Sequence, residues 1–448
     1  MTALRFPHPL TLLVACILIA AALTWVLPAG EYQRREDPVT GRSVVVPGTY
    51  TPIDATPVGP FQALVGIPRG MIEAASVIFY VFLVGGGFAV VERTGALTRL
   101  VNSLVAALSG RDLLVIPVAG LAFAIGGVLL QMQEELIAFV PVLLLLTSRL
   151  GFNPLTAVAM SLGASAVGAS FSFINPFQVG IAQKVAELEL LSGWQFRVAF
   201  LIPALAIWIA GTMLYARRTR APARSPETSG AIGPAAGWRH AAVLFTVMAG
   251  FVAFVIGVLE YHWDFDQLSA VFFVVGVAAG MLGGLRPGGT ADAFVEGFRS
   301  MAFGALLIGF ARGIYVVLEE GRVVDTIVHG IFTPIADFPV AVSALVMMAA
   351  HTMIHVPVPS TSGQAVLTLP LLVPLSDLIG LSRQVTVLAY QYGAGLCELI
   401  TPTNGALMAM LAVSGVRYED WLRFAGPLLA ALLVLAAVAI GVGVVVGV

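Results

Sequence analysis

Four short polar stretches interrupt long apolar segments of this sequence, and three of them contain proline. They read QMQEE (131–135), FSFINPFQ (171–178), PVPSTSGQ (357–364) and LITPTNG (399–405). Proline lacks a backbone donor and clashes with the preceding helical turn, so we expect helix breaks at Pro176 and Pro402. A half-helix that starts at a break offers free N–H groups and a positive dipole end to a carboxylate. The unwound carbonyl groups and the hydroxyl side chains suit Na⁺ or a substrate amine.

The polar side chains around these stretches, together with two glycines, form the predicted substrate- and ion-binding site. The site comprises Glu134, Glu135, Asn175, Gln178, Arg312, Ser360, Thr361, Ser362, Gly363, Gln364, Glu398, Thr401, Thr403, Asn404 and Gly405. Two opposed walls are expected, one of Asn175, Gln178, Thr403 and Asn404 and the other of Ser360, Thr361, Ser362 and Glu135. The alternative is that the stretches are ordinary kinks, in which Ser and Thr side chains bond to their own helices.

Charged residues at membrane depth are functional candidates by default, because burying a charge in lipid is costly. Arg312 is either a carboxylate clamp, since a guanidinium matches two oxygens, or the structural ion-pair partner of Glu134 or Glu135. Adjacent helical residues diverge by about 100°, so these two glutamates cannot face one ligand together. One would bind a substrate amine, Na⁺ or a proton, unless both line a hydrated mouth.

Glu398 precedes the last break by one turn and is either a site residue or a structural partner that holds the break in place. His351 and His355 share a helix face but have no third ligand, so we expect hydrogen-bonded interior histidines and no metal site. A proton-sensitive pair remains the alternative. The cations at segment ends are interpreted as interface anchors; they are Lys184, Arg197, Arg383 and Arg423.

The elements that position these residues must be membrane helices. The chain has 448 residues, of which 58% are hydrophobic and 11% charged, against about 25% charged residues in soluble domains. Several runs approach the roughly 20 apolar residues of a membrane span. The first apolar run is interpreted as a retained transmembrane helix and not as a signal peptide. The two cysteines lie in apolar segments and form no disulfide pattern. No basic patch with interleaved aromatics is present, so we expect no nucleic-acid partner.

The charge distribution predicts the orientation of the chain. The linker Arg217–His240 holds five arginines against one acid, which places it in the cytoplasm by the positive-inside rule. The loops 30–60 and 260–267 are expected outside, and the short N-terminus with Arg5 inside. The prediction is a multi-pass protein of the bacterial cytoplasmic membrane with a cytoplasmic N-terminus.

The two halves of the chain resemble each other. Residues 133–164 align with 362–394, and the aligned pairs include Pro141 with Pro370, Gly151 with Gly380, and Gly163 with Gly393. Residues 172–180 then align with 398–406, which pairs Pro176 with Pro402. The charge map gives the two repeats opposite orientations. Inverted repeats are common in secondary transporters, where the binding site lies at the repeat interface near the midplane.

These observations divide the chain into five parts. Residues 1–60 form a first transmembrane helix and an external loop, and 61–217 form repeat 1, with a hairpin tip near 131–136 and a broken helix near 172–178. A cytoplasmic linker (218–240) and two connecting helices (241–290) lead to repeat 2 (291–448), with a tip near 357–364 and a break near 399–405. The segments 137–147 and 365–378 are predicted to be too short to span, so each break is interpreted as part of a re-entrant hairpin.

Motifs along nearly the whole chain resemble the C4-dicarboxylate anaerobic carrier (DcuC) family and its YfcC-type branch, within the ion-transporter superfamily. They include ALTWVLPAGEY, GIPRGMIEAA, ARGIYVVLEEG, STSGQAVLTLPLLVPLSDLIGLSRQ and ITPTNGALMAMLAVSGVRYEDW. The resemblance implies an all-α fold with paired re-entrant hairpins, a scaffold domain that forms a homodimer, and elevator-like movement of a transport domain. Related branches move C4-dicarboxylates or exchange basic amino acids.

The sequence therefore predicts a secondary active transporter, an ion-coupled carrier or exchanger of a small carboxylate-bearing metabolite such as a C4-dicarboxylate. The alternative substrate class is a basic amino acid, moved by antiport. The chain is expected not to be an enzyme and to have no cofactor, with Na⁺ or H⁺ as the coupling ion. A passive channel and an intramembrane hydrolase that uses Ser362 with His355 are the remaining alternatives.

Overall fold

The computed structural model of the chain describes residues 8–36, 43–97, 99, 103, 111–221, 237–261, 263, 265–333, 335 and 338–448. Arg5 and residues 222–236 of the linker, on which the predicted orientation depends, lie outside this part. The described residues are mostly helical. The first helix, α1 (Pro9–Val26), begins where the His8 side chain accepts the N–H of Leu10, with proline in the first turn.

Four short strands follow α1 and form the loop that precedes the helical body: β1 (Gly30–Glu31), β2 (Arg34–Glu36), β3 (Ser43–Val45) and β4 (Thr51–Pro52). β1 pairs with β4 and β2 pairs with β3, both antiparallel. The helices up to residue 219 are α2 (Pro60–Glu73), α3 (Ala75–Arg93), α4 (Val115–Leu130), α5 (Val140–Arg149), α6 (Pro154–Val158), α7 (Ala164–Ser170), α8 (Ile181–Val185) and α9 (Trp194–Thr219).

Two connecting helices, α10 (Trp238–Tyr261) and α11 (Phe265–Gly283), lead into the second half of the chain. The remaining helices are α12 (Arg286–Glu320), α13 (Val324–Phe332), α14 (Val340–His355), α15 (Thr361–Ile379), α16 (Arg383–Cys397), α17 (Gly405–Val413) and α18 (Tyr418–Val446).

Within the described ranges, seven helices are long and apolar enough to cross a membrane: α3, α4 with the turn before it, α9, α11, α12, α15 and α18. One of them differs from the prediction. The segment 365–378 was expected to be too short to span, but α15 has 19 residues. Ser360 starts the helix earlier, because its side chain accepts the N–H of Gly363, and the helix continues through Pro370 and Pro374.

The helical path is interrupted at 171–175 and again at 398–404. The side chains there satisfy backbone donors that the breaks set free. Asn175 Oδ1 accepts from the N–H groups of Phe177 and Gln178, at 2.9 and 3.1 Å. Asn404 Oδ1 accepts from the N–H of Leu407 at 3.1 Å and so caps α17.

Glycines allow the helices beside the first break to touch through their backbones. A Cβ added at Gly127 of α4 would lie 2.0 Å from the carbonyl oxygen of Ser165, and one at Gly168 of α7 would lie 2.4 Å from that of Ala124. Small residues at such crossings let membrane helices approach closely. The tip that follows α4 is therefore held directly against the broken helix.

Candidate functional site

A cavity of about 310 Å³, the central cavity, lies where the two tips and the second break meet. This volume falls at the lower end of the range of ligand pockets, about 300–1,000 Å³. Its polar lining comes from Gln131, Gln133, Glu134, Ser360, Thr361, Ser362, Glu398 and Asn404. Its apolar lining comes from Met132, Phe177, Phe254, Trp263, Phe265, Leu268 and Pro359. The cavity is thus walled by both tips, the second break and the connection between α10 and α11.

Glu398 is the centre of a buried polar network at the floor of this cavity. Its Oε2 accepts a hydrogen bond from Gln133 Nε2, and Gln133 Oε1 accepts from Asn404 Nδ2 at 3.2 Å. Its Oε1 lies 3.9 Å from His355 Nε2. The network ties the first tip, the second break and α14 together around one carboxylate.

Gln364 joins the two histidines of α14 to the start of α15. Its Oε1 lies 3.1 Å from His355 Nδ1, and its Nε2 donates to the backbone carbonyl of His351 at 2.9 Å. All three side chains are fully buried. The sequence analysis placed Gln364 in the binding site, but this side chain does not line the cavity. It instead fixes the histidine that faces Glu398.

The two tips touch each other directly. Gln131 Nε2 donates to Thr361 Oγ1 at 2.5 Å, and Tyr390 Oη donates to the carbonyl of Thr361 at 2.7 Å. Ser360 Oγ accepts from the N–H of Gly363 at 3.2 Å. The Thr361 side chain therefore closes the boundary between the tips on one side of the cavity.

The predicted wall of Asn175, Gln178, Thr403 and Asn404 is only partly correct, because Asn404 alone of the four lines the cavity. Asn175 Nδ2 donates to the carbonyl of Gly127 at 2.9 Å, and Gln178 Nε2 donates to that of Gln391 at 3.1 Å. Thr403 Oγ1 donates to the carbonyl of Val356 at 2.7 Å. These side chains donate to backbone carbonyls of neighbouring elements and so are not directed into the cavity.

Thr401 and Gly405 also lie away from the lining. Thr401 Oγ1 donates to the carbonyl of Cys397 at 2.8 Å, and a Cβ at Gly405 would lie 3.0 Å from Ile308 Cα. The backbone of Glu135 follows Glu134 in a 3₁₀ turn, Glu134–Phe139, and its side chain lies outside the described part of the structure. Pro176 opens the π-helical turn Pro176–Gly180.

Arg312 does not line the central cavity, where a carboxylate clamp was expected. The alternative was an ion pair with Glu134 or Glu135, but the described carboxylate next to Arg312 is that of Glu73. α12 has 35 residues, a length of about 52 Å, and Arg312 lies about 12 Å from its C-terminal end. There Arg312 Nε lies 2.7 Å from Glu73 Oε2, and the guanidinium lies 4.8 Å from the ring centroid of Tyr315. The arginine side chain is 42% exposed.

Arg312 lines a second cavity of about 630 Å³, the vestibule, on the side of the β-strand loop. The vestibule also contains the ion pairs Arg34–Asp325 (2.8 Å) and Arg322–Glu31 (3.0 Å). The vestibule and the central cavity share Pro359, Ser360 and Ser362 as lining residues. The second tip is therefore the partition between the two spaces.

The loop that covers the vestibule is fastened to α13. The backbone N–H of Tyr32 donates to Asp325 Oδ2 at 2.9 Å, and Tyr32 Oη lies 2.9 Å from His329 Nδ1. Burial and the nearby Asp325 carboxylate raise the pKa of Tyr32 to about 12, so its phenol remains neutral at physiological pH.

Arg197 is the residue that the sequence analysis placed wrongly, as an interface anchor. It is buried, and its guanidinium donates to Gln391 Oε1 (3.1 Å), Gln384 Oε1 (3.0 Å) and the carbonyl of Ser192 (2.9 Å). Gln391 Nε2 in turn donates to the carbonyl of Ser172 at 2.6 Å. The signal in the sequence was the glutamine in the apolar run VLAYQYGAGLC, which requires a buried partner.

Arg197→Leu is expected to lower the thermal stability of the detergent-solubilised protein, because two buried acceptors, Gln391 Oε1 and Gln384 Oε1, lose their donor, at about 1–3 kcal/mol each. The measurement is the melting temperature by intrinsic fluorescence. Arg423→Leu is the control, since this arginine is 57% exposed and pairs with Glu419 on the surface. Equal melting temperatures for the two variants would contradict a structural role of Arg197.

Comparison with known proteins identifies relatives along the whole chain. The family model of the C4-dicarboxylate anaerobic carrier matches residues 6–445. A protein of Escherichia coli (strain K12), provisionally named the basic amino acid antiporter YfcC, is 31% identical over an alignment of 488 residues that covers 97% of this chain and 95% of the relative. An uncharacterized protein of Haemophilus influenzae is 26% identical, with 97% of this chain and 96% of the relative covered.

Two solved transporter structures are similar over nearly their full length. The YdaH transporter of Alcanivorax borkumensis has a TM-score of 0.45 and 18% identity, covering 98% of this chain and 99% of that one. MtrF of Neisseria gonorrhoeae has a TM-score of 0.42 and 17% identity, covering 99% and 96%.

Proposed function

The chain belongs to the C4-dicarboxylate anaerobic carrier family, and on this premise we propose that it is a secondary active transporter whose substrate binds in the central cavity. It is a multi-pass membrane protein of a transporter family. The proposal rests on one observation: two glutamates, Glu134 and Glu398, line the central cavity together with amide and hydroxyl groups.

The proposed substrate is a basic amino acid, moved by exchange. Among the described residues that line the central cavity there is no lysine or arginine, so its acids are available to a cationic group. A buried carboxylate needs an opposite charge or hydrogen-bond donors. The relative YfcC, provisionally named a basic amino acid antiporter, supports the same substrate class.

A C4-dicarboxylate is the second candidate, favoured by the name of the family and by the vestibule. Arg34, Arg312 and Arg322 line the vestibule next to the second tip. Each of these arginines has an acidic partner at 2.7–3.0 Å, so a dicarboxylate would have to displace those partners.

The proposed mechanism is alternating access by two inverted repeats in an elevator-type homodimer. Its support is the order of elements: α4 to α9 run as helix, tip, helix, broken helix and long helix, and α14 to α18 run in the same order. The basic linker 217–240 favours the bacterial cytoplasmic membrane with a cytoplasmic N-terminus. The five-part division of the chain given above belongs to this proposal.

The remaining alternatives have less support. A hydrolase would need His355 beside Ser362, but His355 Nδ1 is occupied by Gln364 and its Nε2 faces Glu398. A passive channel predicts flux that does not saturate and does not follow an ion gradient, which uptake by proteoliposomes would reveal.

Asn404→Ala and Ser362→Ala are expected to raise the Michaelis constant for arginine uptake into proteoliposomes. The first removes the donor that positions Gln133, and the second removes a hydroxyl from the partition. A lost hydrogen bond costs about 0.5–1.5 kcal/mol, roughly a 2- to 13-fold change. Uptake of succinate is measured in parallel, and unchanged kinetics for both substrates in both variants would place the site elsewhere.

A further inference from the structure

His355 and Glu398 face each other at the junction of α14 and the second break. His355 Nε2 lies 3.9 Å from Glu398 Oε1, and their side chains are 0% and 7% exposed. Within the part of the chain that the structure describes, His355 Nε2 has no hydrogen-bond partner. A buried ring nitrogen without a partner is costly, so this contact requires an explanation.

The tautomer of His355 follows from its neighbour. Gln364 Nε2 lies 2.9 Å from the backbone carbonyl of His351, which can only accept, so this end of the amide must be the donor. Gln364 Oε1 therefore faces His355 Nδ1 at 3.1 Å and must accept a hydrogen bond from it. A neutral His355 consequently carries its hydrogen on Nδ1 and presents a bare Nε2 lone pair to Glu398.

Two acceptors then face each other, a neutral imidazole nitrogen and a carboxylate oxygen. Such a contact is repulsive unless a cation or a proton lies between them. Na⁺ is a poor fit, because hard cations take oxygen ligands. Among the described residues no group of three or more His, Cys, Asp and Glu could hold a metal ion. The gap is about 1 Å longer than a hydrogen bond, which a side-chain rotation can close.

We propose that Glu398 and His355 share one proton, and that the cationic group of the substrate displaces it. The inference rests on the proposed function, because it needs a cationic substrate in the central cavity. In the empty cavity the proton bridges Glu398 Oε1 and His355 Nε2. When the substrate enters, one proton leaves to the solvent, Glu398 remains as a carboxylate paired with the substrate cation, and His355 remains neutral.

Other titratable groups lie near the pair, and proton release from them must be distinguished from proton release by the pair. Glu134 lines the same cavity from the first tip. His351 lies one turn earlier on α14 and receives the Gln364 amide, while Tyr390 of α16 has its ring centroid 5.3 Å from that of His351. Cys397 directly precedes Glu398. Glu134 is therefore the competing site for a displaced proton.

The exchange keeps the charge of the site constant. The protonated pair is neutral, and the deprotonated pair with a bound cationic group is also neutral. Moving an uncompensated charge through the low dielectric of a membrane is costly. The proton therefore takes the place of the substrate cation during the return step, which makes the proton the coupling ion of an antiport.

The test is calorimetric titration of the purified protein with L-arginine in buffers of different ionisation enthalpy, at protein concentrations that give full saturation. We expect release of about one proton per bound arginine in the unmodified protein. We expect no release in Glu398→Gln, because this variant has no carboxyl group from which a proton can leave. Glu134→Gln tests the competing acid of the same cavity: it is expected to weaken arginine binding but, at saturation, to keep the release of about one proton per bound arginine. Glu296→Gln, whose side chain is 77% exposed and outside the lining, is the control. Loss of release in Glu134→Gln, or its persistence in Glu398→Gln, would overturn the assignment.

A second measurement distinguishes a proton shared by Glu398 and His355 from a proton held by Glu398 alone. The ¹⁵N resonances of His355, assigned by their loss in His355→Gln, are expected to shift on arginine binding as the proton leaves Nε2. Unchanged resonances would overturn the role of His355. If arginine binds without proton release, or binds only with displacement of Na⁺, this inference fails while the proposed function stands. If neither arginine nor ornithine binds, the proposed function itself fails.

Discussion

Glu398→Gln is expected to raise the concentration of arginine needed for half-maximal uptake by about 30-fold or more. The glutamine keeps the shape of the side chain and can still accept from Gln133, but it removes the negative charge that the substrate cation needs. Loss of one partner from a buried, hydrogen-bonded charge pair costs about 2–5 kcal/mol, and every 1.4 kcal/mol is a factor of about ten in affinity.

Uptake of radiolabelled arginine into proteoliposomes measures this effect, with reconstitution quantified for each variant. Glu296→Gln is the matched control, because its side chain is 77% exposed and meets Arg93 only at 3.8 Å. The control should retain the kinetics of the unmodified protein. Similar loss in both variants would show that the effect is not specific to the central cavity.

Gly127→Ala is expected to destabilise the protein strongly. Its new Cβ would lie 2.0 Å from the carbonyl oxygen of Ser165, a backbone atom that cannot move aside cheaply. α4 and α7 must then separate, which withdraws the first tip from the second one. Overpacking of a close-packed site costs about 1–3 kcal/mol, so the yield of monodisperse protein and its melting temperature should both fall.

Gly441→Ala in α18 provides the comparison, because a Cβ there meets nothing within 4 Å. A helical glycine with open space around it gains up to about 1 kcal/mol when it is replaced by alanine. We therefore expect a melting temperature equal to or above that of the unmodified protein. A Gly127→Ala protein as stable as Gly441→Ala would contradict the close contact of α4 and α7.

The helical membrane architecture was accessible from the sequence because it follows from composition and from runs of apolar residues. Pro176 and Pro402 marked the interruptions for a local reason, since proline cannot continue a helix. The length of α15 was not accessible in the same way. The tip was expected to extend to residue 364, but Ser360 caps the helix so that it already begins at Thr361.

The site was harder to predict, because the sequence does not show which way a polar side chain points. Asn175, Gln178 and Thr403 carry the chemistry of a binding site, yet they donate to backbone carbonyls of neighbouring elements. Arg312 stood in an apolar run, but α12 is long enough to carry it to the vestibule. The predicted site did not include Gln133, which precedes two glutamates in the sequence. Only the fold brings it to Glu398.

The central claim is that substrate binds between the two tips, and a cryo-EM map of the protein saturated with arginine tests it most directly. The account predicts density in the cavity of about 310 Å³, with the guanidinium group next to Glu398 or Glu134. Density confined to the vestibule beside Arg312, with the central cavity empty, would contradict it.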